Sequence, residues 1–224
     1  MRGDSGGAAP RPRADPKEAN RAEIIDAAAR CFMRRGFDKT TIDDIADELN
    51  ATKGRVYHRF RAKSEIFFAV YRQAMQFCFD AVDPLLALDL PASERLLRMA
   101  EAHALVMMEH LSYQRSIKQG VEIYLTGATT EAERRALGEL VDMRDRYEER
   151  FRKTLREGQA DGSLSVPDVA ISGRAILAAL NGLTDWYRPR SRDTRASRQA
   201  IARKLALTVV NGVAARPAGD KRHP

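Results

Sequence analysis

Proline placement is the feature that most limits how this chain can fold. The 224 residues include nine prolines, at 10, 12, 16, 84, 91, 167, 189, 217 and 224, which leaves 17–83 and 92–166 free of them. A proline inside a helix removes a hydrogen bond and clashes with the preceding turn, so long helices run where prolines are missing. Both stretches carry apolar residues at spacings of three and four, and neither alternates with period two for long enough to make a strand. The pattern predicts an all-α chain of about nine helices with no sheet.

The helix boundaries follow from cap residues. Lys17 to Arg35 puts Ile24, Ile25, Ala28, Ala29 and Phe32 on one face and ends at Gly36, a residue suited to a helix C-terminus. Thr41 precedes an acid-rich first turn, and Thr52 caps a short helix that runs to about His58. Lys63 or Ser64 opens a longer helix carrying Phe67, Val70, Tyr71, Ala74, Phe77 and Cys78. Beyond Pro91, Ser93 reads as an N-cap, Ser112 as the start of the next helix, and Thr130 as the start of a long one ending near Ala160-Asp161-Gly162. Pro167 precedes a helix that stops at Pro189, and Thr194 caps the last, with Ile201, Leu205, Val209 and Val210 inward.

Composition narrows the class. A chain of 224 residues that is 44% hydrophobic can bury a sizeable core. Cys31 and Cys78 make neither a disulfide framework nor a CxxC pair, which suits a reducing compartment. No apolar run reaches the roughly 18–20 residues of a membrane span, and residues 1–16 lack the apolar stretch of a signal peptide. A cytoplasmic protein is expected, with 1–16 and 215–224 as disordered tails.

The net charge of +7 is unevenly spread. Residues 36–50 hold five acids against Lys39, whereas 52–63 hold Lys53, Arg55, Arg59, Arg61 and Lys63 with no acid. Residues 41–60 read as two short helices joined by about three residues, the spacing of a helix-turn-helix. Ile45, Ala46 and Leu49 face Val56 and Phe60, leaving Thr52, Lys53, Arg55, Tyr57, His58 and Arg59 to project outward. A helix with such a face fits the major groove of B-DNA. Arg55 suits bidentate contact with guanine. Tyr57 has a partly buried alternative, and Arg59 and Arg61 a purely solvated one.

The run TIDDIADELNATKGRVYHRFRAKSE, preceded by ANRAEIIDAAARCFMRRGFDK, resembles the N-terminal domain of TetR-family transcriptional repressors over residues 20–70. Asn50 stands where members commonly carry glycine, and Arg55 where a small polar residue is frequent. The resemblance implies a DNA-binding domain at 17–66. Thr41 and Lys63 would hold phosphates, Thr52 and Lys53 would lie near base edges and backbone, and Tyr57 and His58 would form a phosphate-contacting pair. Gly54, costly in a helix by about 1 kcal/mol, would allow close approach to DNA.

The resemblance also implies that residues 67–214 form a helical effector-binding and dimerisation domain. A homodimer through the last two helices, about 168–187 and 194–212, would use Ala175, Ala178, Ala179 and Gly182 with Ile201, Leu205 and Val209, and would read a pseudo-palindromic double-stranded DNA operator. Met99, His103, Met107, Tyr124, Tyr147 and Phe151 form either a ligand cavity or ordinary core. RDRYEERFRKTLREGQADGSL followed by ALNGLTDWYRPRS is similar to effector domains of members governing fatty-acid or steroid breakdown, which commonly respond to acyl-coenzyme A thioesters. Arg188, Arg190 and Arg192 would then meet the phosphates. His103 and His110 share a face without a third ligand, so no metal is expected, and no cofactor either. The absence of GxGxxG, Walker A and GxSxG motifs speaks against an enzyme. The competing reading is a non-specific DNA-binding or nucleoid-associated helical protein.

Overall fold

The computed structural model describes residues 16–126 and 130–211, with side chains at 17–118 and 130–211. Its elements in chain order are α1 (Pro16–Lys39), α2 (Ile42–Glu48), α3 (Lys53–Tyr57), α4 (Lys63–Val82), a 3-10 turn (Asp83–Ala87), α5 (Ala92–Glu109), α6 (Leu111–Thr126), α7 (Glu131–Ala160), α8 (Val169–Asn181), α9 (Leu183–Trp186) and α10 (Arg195–Val210). No strand occurs among the described residues. The helix expected over 168–187 is interrupted at Gly182, so α8 and α9 are two pieces of it. The expected tails lie outside the described residues, except that Pro16 is already the first residue of α1.

Gly36 breaks α1 with φ 77° and ψ 164°, a backbone state that side chains resist, and the chain turns sharply there. The turn drives Phe37 into an aromatic cluster, with ring centroids 5.5 Å from Phe32 and 5.2 Å from Phe67. Buried Thr40 closes the corner by donating to the Gly36 carbonyl at 2.7 Å.

Ala27, Ala28 and Ala29, all fully buried, keep α1 slim on more than one side, and α6 packs closely along it. Ser116 of α6 donates to the Ala29 carbonyl at 2.8 Å, and the Tyr113 hydroxyl donates to Asp26. Gln114, on the same helix, donates to the Ala74 carbonyl of α4 at 3.2 Å. Helix α4 runs unbroken through 66/67, where the two domains were expected to meet. One apolar core continues from Ile24 and Phe32 through Phe67 to Leu96, Phe151 and Leu155.

Three of the expected caps form, each as a reciprocal capping box: Thr41 with Asp44, Thr130 with Glu133, and Thr194 with Ser197. Ser93 is not a cap. Pro91 takes that position, and the free N–H groups of Ala92 and Ser93 are met by Asp161 Oδ2 at 3.0 Å and Ser163 Oγ at 3.2 Å. On α10, Val210 is buried as expected and Ile201, Leu205 and Val209 are partly buried against the core, while Ala202 and Ala206 take the deepest positions. Small residues win the inward positions because α10 packs closely along α5.

Two glycines of α7 separate packing from propensity. A Cβ on Gly158 would collide with the side chain of buried Leu164, whereas one on exposed Gly138 meets nothing within 4 Å. Gly158→Ala is expected to cost about 1–3 kcal/mol through overpacking. Gly138→Ala should stabilise by up to about 1 kcal/mol. Urea denaturation of the two variants checks both signs.

Candidate nucleic-acid interface and ligand cavity

Helices α2 and α3 form the expected helix-turn-helix. Ile45, Ala46, Val56 and Phe60 are buried between them, with Leu49 half-buried at the edge. Asn50 sits at φ 49°, the left-handed state that asparagine tolerates, and the turn closes with the Ala51 N–H donating to the Ala46 carbonyl at 2.9 Å.

On the outer face, Thr52, Lys53, Gly54, Tyr57 and His58 are exposed. Tyr57 is 48% exposed, which removes the partly buried alternative. Lys53 lies 5.8 Å from the centre of the Tyr57 ring and pairs with Asp43 at 3.0 Å, a contact that raises the Lys53 pKa. Thr52 occupies the N-cap position of α3 without a side-chain cap bond. A Cβ at Gly54 would meet only Thr52 Oγ1, at 3.8 Å. Nothing within the chain therefore requires glycine there.

Besides Lys53, three of the expected contact residues have partners within the chain. The Thr41 hydroxyl is engaged with Asp44, at 2.9 Å as donor and 3.1 Å as acceptor. Lys63 is turned inward: its ammonium donates to the carbonyls of Phe37 at 2.7 Å and Asp38 at 3.1 Å and lies 4.4 Å from the Phe37 ring centre. Burial lowers its pKa. It satisfies carbonyls freed where Gly36 breaks α1, so its ammonium is already engaged within the chain. Arg55 is drawn sideways onto α1, with Nε donating to Asn20 Oδ1 at 2.7 Å and Nη2 paired with Glu23. Arg59 is half-buried, its Nε enclosed without a hydrogen-bond partner, whereas Arg61 is exposed. The parts played by Asn20, Glu23 and Lys63 depend on chain crossings 26–35 residues apart, beyond any local pattern.

A cavity of about 630 Å³ lies among α4–α9. Met75 and Cys78 of α4, Met107 of α5, Ile117 of α6 and Leu177 of α8 supply apolar lining. Within it, the His103 ring is fully enclosed, with Nδ1 2.7 Å from the Tyr147 hydroxyl and Nε2 3.0 Å from Asn181 Oδ1. Tyr147 donates to Nδ1, so Nε2 carries the proton and donates to Asn181. Lys118–Asp185 at 2.5 Å, Arg174–Glu148 at 3.3 Å and Arg144–Asp145 at 3.7 Å form an ionic rim.

Of the expected lining residues, His103, Met107 and Tyr147 face this space. Met99 and Phe151 do not: both are fully buried behind it, Met99 accepting from Thr154 at 3.4 Å and Phe151 packing edgewise on His103. Phe151 packs against both rings of the His103–Tyr147 pair, which take the lining positions instead. The Tyr124 side chain lies outside the described residues. Among the described residues no group of His, Cys, Asp and Glu is placed to hold a metal, and no helix is long and apolar enough to cross a membrane.

A helix-turn-helix whose outer face is open, mounted on a helical body that holds a partly open cavity, is the build of a DNA-binding regulator. The family profile described as "Tetracyclin repressor-like, C-terminal domain" matches residues 89–213, and that described as "Bacterial regulatory proteins, tetR family" matches 24–70. The chain belongs to the tetracycline-repressor-like family of transcriptional regulators, which are not enzymes. It is 26% identical over 199 residues to the HTH-type transcriptional repressor KstR2 of Rhodococcus jostii, covering 88% of this chain and 93% of that one. An HTH-type transcriptional repressor of Mycobacterium tuberculosis is 36% identical over 64 residues, 29% of this chain, and the match spans about a third (34%) of that repressor's length. The crystal structure of the TetR-family regulator PfmR from Thermus thermophilus superposes with a TM-score of 0.72 at 29% identity, covering 84% of this chain and 97% of that one. AibR in complex with isovaleryl coenzyme A and operator DNA shares the fold, with a TM-score of 0.68 at 19% identity over 84% and 97% of the two chains.

Burial holds the His103 pKa down to about 4 from its ordinary 6.5. The unfolded chain therefore binds more protons between those values, so stability is complete above pH 6.5 and falls as pH drops towards 4, by about 3 kcal/mol at the limit. His110, stacked 3.6 Å from Phe77, is also lowered by burial and adds to the slope. Urea midpoints should fall between pH 6.5 and 4.5, and less steeply in His103→Gln.

Proposed function

We propose that the chain is a homodimeric repressor that binds a pseudo-palindromic operator and is released by a small lipophilic effector, working in the cytoplasm where its DNA lies. Residues 17–66 read DNA in this scheme, and 67–214 dimerise and hold the effector. The observation that carries the reading is Gly54. It sits in an exposed helix at a cost of about 1 kcal/mol, with open space where a side chain would be and no use for that space inside the chain. An outside surface that must come close, the floor of a major groove, accounts for it. Lys53, Tyr57 and His58 flank the same opening and supply phosphate contacts.

The dimer face is supported by exposed apolar area on the last helices. Ile171 is 68% and Trp186 55% exposed, and Ala175, Ala178, Ala179 and Leu207 lie open beside them. A twofold pair on this face would set two recognition helices about 34–36 Å apart, one turn of DNA. Selection of bound sequences from a random duplex pool tests both features. A palindrome with half-sites one turn apart is expected, bound roughly 10³-fold or more above random DNA. Gly54→Ala, which the fold accommodates, should lose operator affinity at least tenfold with its thermal midpoint kept or raised. Equal binding to all sequences would favour the nucleoid-type reading.

The effector class is supported by a cavity that is apolar inside and ionic at its mouth. Helix α6 links it to the DNA-binding head, since Gln114 and Ile117 line the cavity while Tyr113 and Ser116 hold α1. A molecule that shifts α6 would move the seat of α1. Beside the rim, exposed Arg188, Arg190 and Arg192 follow α9 and suit a polyanionic head. A fold relative holds isovaleryl coenzyme A, and an acyl-coenzyme A thioester is the effector proposed here. Titrating short- and long-chain acyl-coenzyme A against the operator complex should release DNA. Retention of DNA across the series removes this ligand class.

A further inference from the structure

Arg55 projects from the recognition helix but is not a free side chain. Asn20 and Glu23 lie one turn apart on α1, and together they occupy the Nε–Nη2 edge of its planar guanidinium. Nη1 has no hydrogen bond among the described residues, so no acceptor within them spans the Nη1–Nη2 edge. Arg55 keeps 36% of its side-chain surface exposed and Glu23 58%, so the pair stands at the surface, where DNA can reach it.

Two consequences follow for recognition. An arginine held along one edge presents two parallel donors on the other, the pattern that O6 and N7 of guanine accept. Holding it beforehand also spares rotamer freedom that a free arginine would lose on contact. The Glu23 carboxylate acts in addition on the wrong target. It cancels the charge that a phosphate seeks and repels the DNA backbone, while leaving the guanine-reading hydrogens untouched.

We propose that Glu23 and Asn20 of α1 are positioning residues for DNA sequence reading, holding Arg55 so that its Nη1–Nη2 edge meets a guanine and not a phosphate. This rests on the operator-reading function proposed above, with Arg55 as the residue that contacts the base. Neither α1 residue is itself a base contact.

The test uses the full chain and a random duplex pool, followed by affinity measurements on the selected operator and on a random duplex. The proteins are the wild type, Arg55→Ala, Glu23→Ala, Glu23→Gln, Asn20→Ala and Glu23→Ala with Arg55→Ala. Arg55→Ala is expected to lose preference at one base pair per half-site. Glu23→Ala should lose about tenfold at that same pair and bind random duplex more tightly, with an unchanged thermal midpoint. Asn20→Ala should weaken the preference without tightening random binding. Glu23→Gln keeps an acceptor but no charge, so it should recover base preference while still binding random duplex tightly. In the double variant, Glu23→Ala should add nothing at that base pair beyond Arg55→Ala. If Glu23→Ala keeps the preference that Arg55→Ala loses, or strengthens operator and random duplex equally, the positioning role is overturned. If Arg55→Ala leaves the selected site unchanged, the base contact itself fails and the positioning role with it, an outcome visible in that variant alone.

Discussion

The seating of α1 is the constraint on which the molecule depends. Fully buried Ala27, Ala28 and Ala29 keep it slim, α6 packs closely along it, and the Ser116 and Tyr113 hydroxyls fix the crossing by hydrogen bonds. The same helix carries the DNA-facing pair at its other sides. Arg30 and Arg34 hold Glu48, and Arg35 holds Asp44, both on α2, while Asn20 and Glu23 hold Arg55 on α3. The surface ion pairs add little stability one by one. Their effect is geometric, because they determine where α2 and α3 stand relative to the body.

The end of α1 shows how one backbone event organises several side chains. Gly36 leaves the helical conformation, Phe37 is thrown into the aromatic cluster, Thr40 closes the corner, and Lys63 from the start of α4 satisfies the released carbonyls. A lysine that looks like a phosphate ligand in the motif is thus part of the joint between head and body. Within that body, the neutral His103 joins Tyr147 of α7 to Asn181 at the end of α8, next to the Gly182 break. Polar order deep in an apolar cavity is maintained because both ring nitrogens have partners.

Much of this was legible locally. The three capping boxes, the stop at Gly36 and the left-handed Asn50 depend on residues within four positions of one another, so pattern reading finds them. The failures share a cause. Ser93 loses its capping role to Asp161 and Ser163 across a contact 69–70 residues away, Arg55 turns to acceptors 32–35 residues upstream, and Met99 and Phe151 yield the lining positions to a polar pair that joins two helices. Helix α10 keeps its expected face, and only its partner α5 decides that Ala202 and Ala206 sit deeper on it than Ile201 and Leu205.

By itself the sequence determined the all-α class, most helix starts and stops and the helix-turn-helix, because periodicity, caps and proline exclusion act within one or two turns of chain. It also marked Gly54, since glycine is a poor helix former and stands here in the first turn of α3. Tertiary structure alone decided which partners the cations of the 52–63 cluster take. Lys53 remains at the surface, while Lys63 and Arg55 are claimed by α1. A charge in a sequence has no direction until the chain folds, and donors in reach of unsatisfied carbonyls or carboxylates turn to them before any partner arrives.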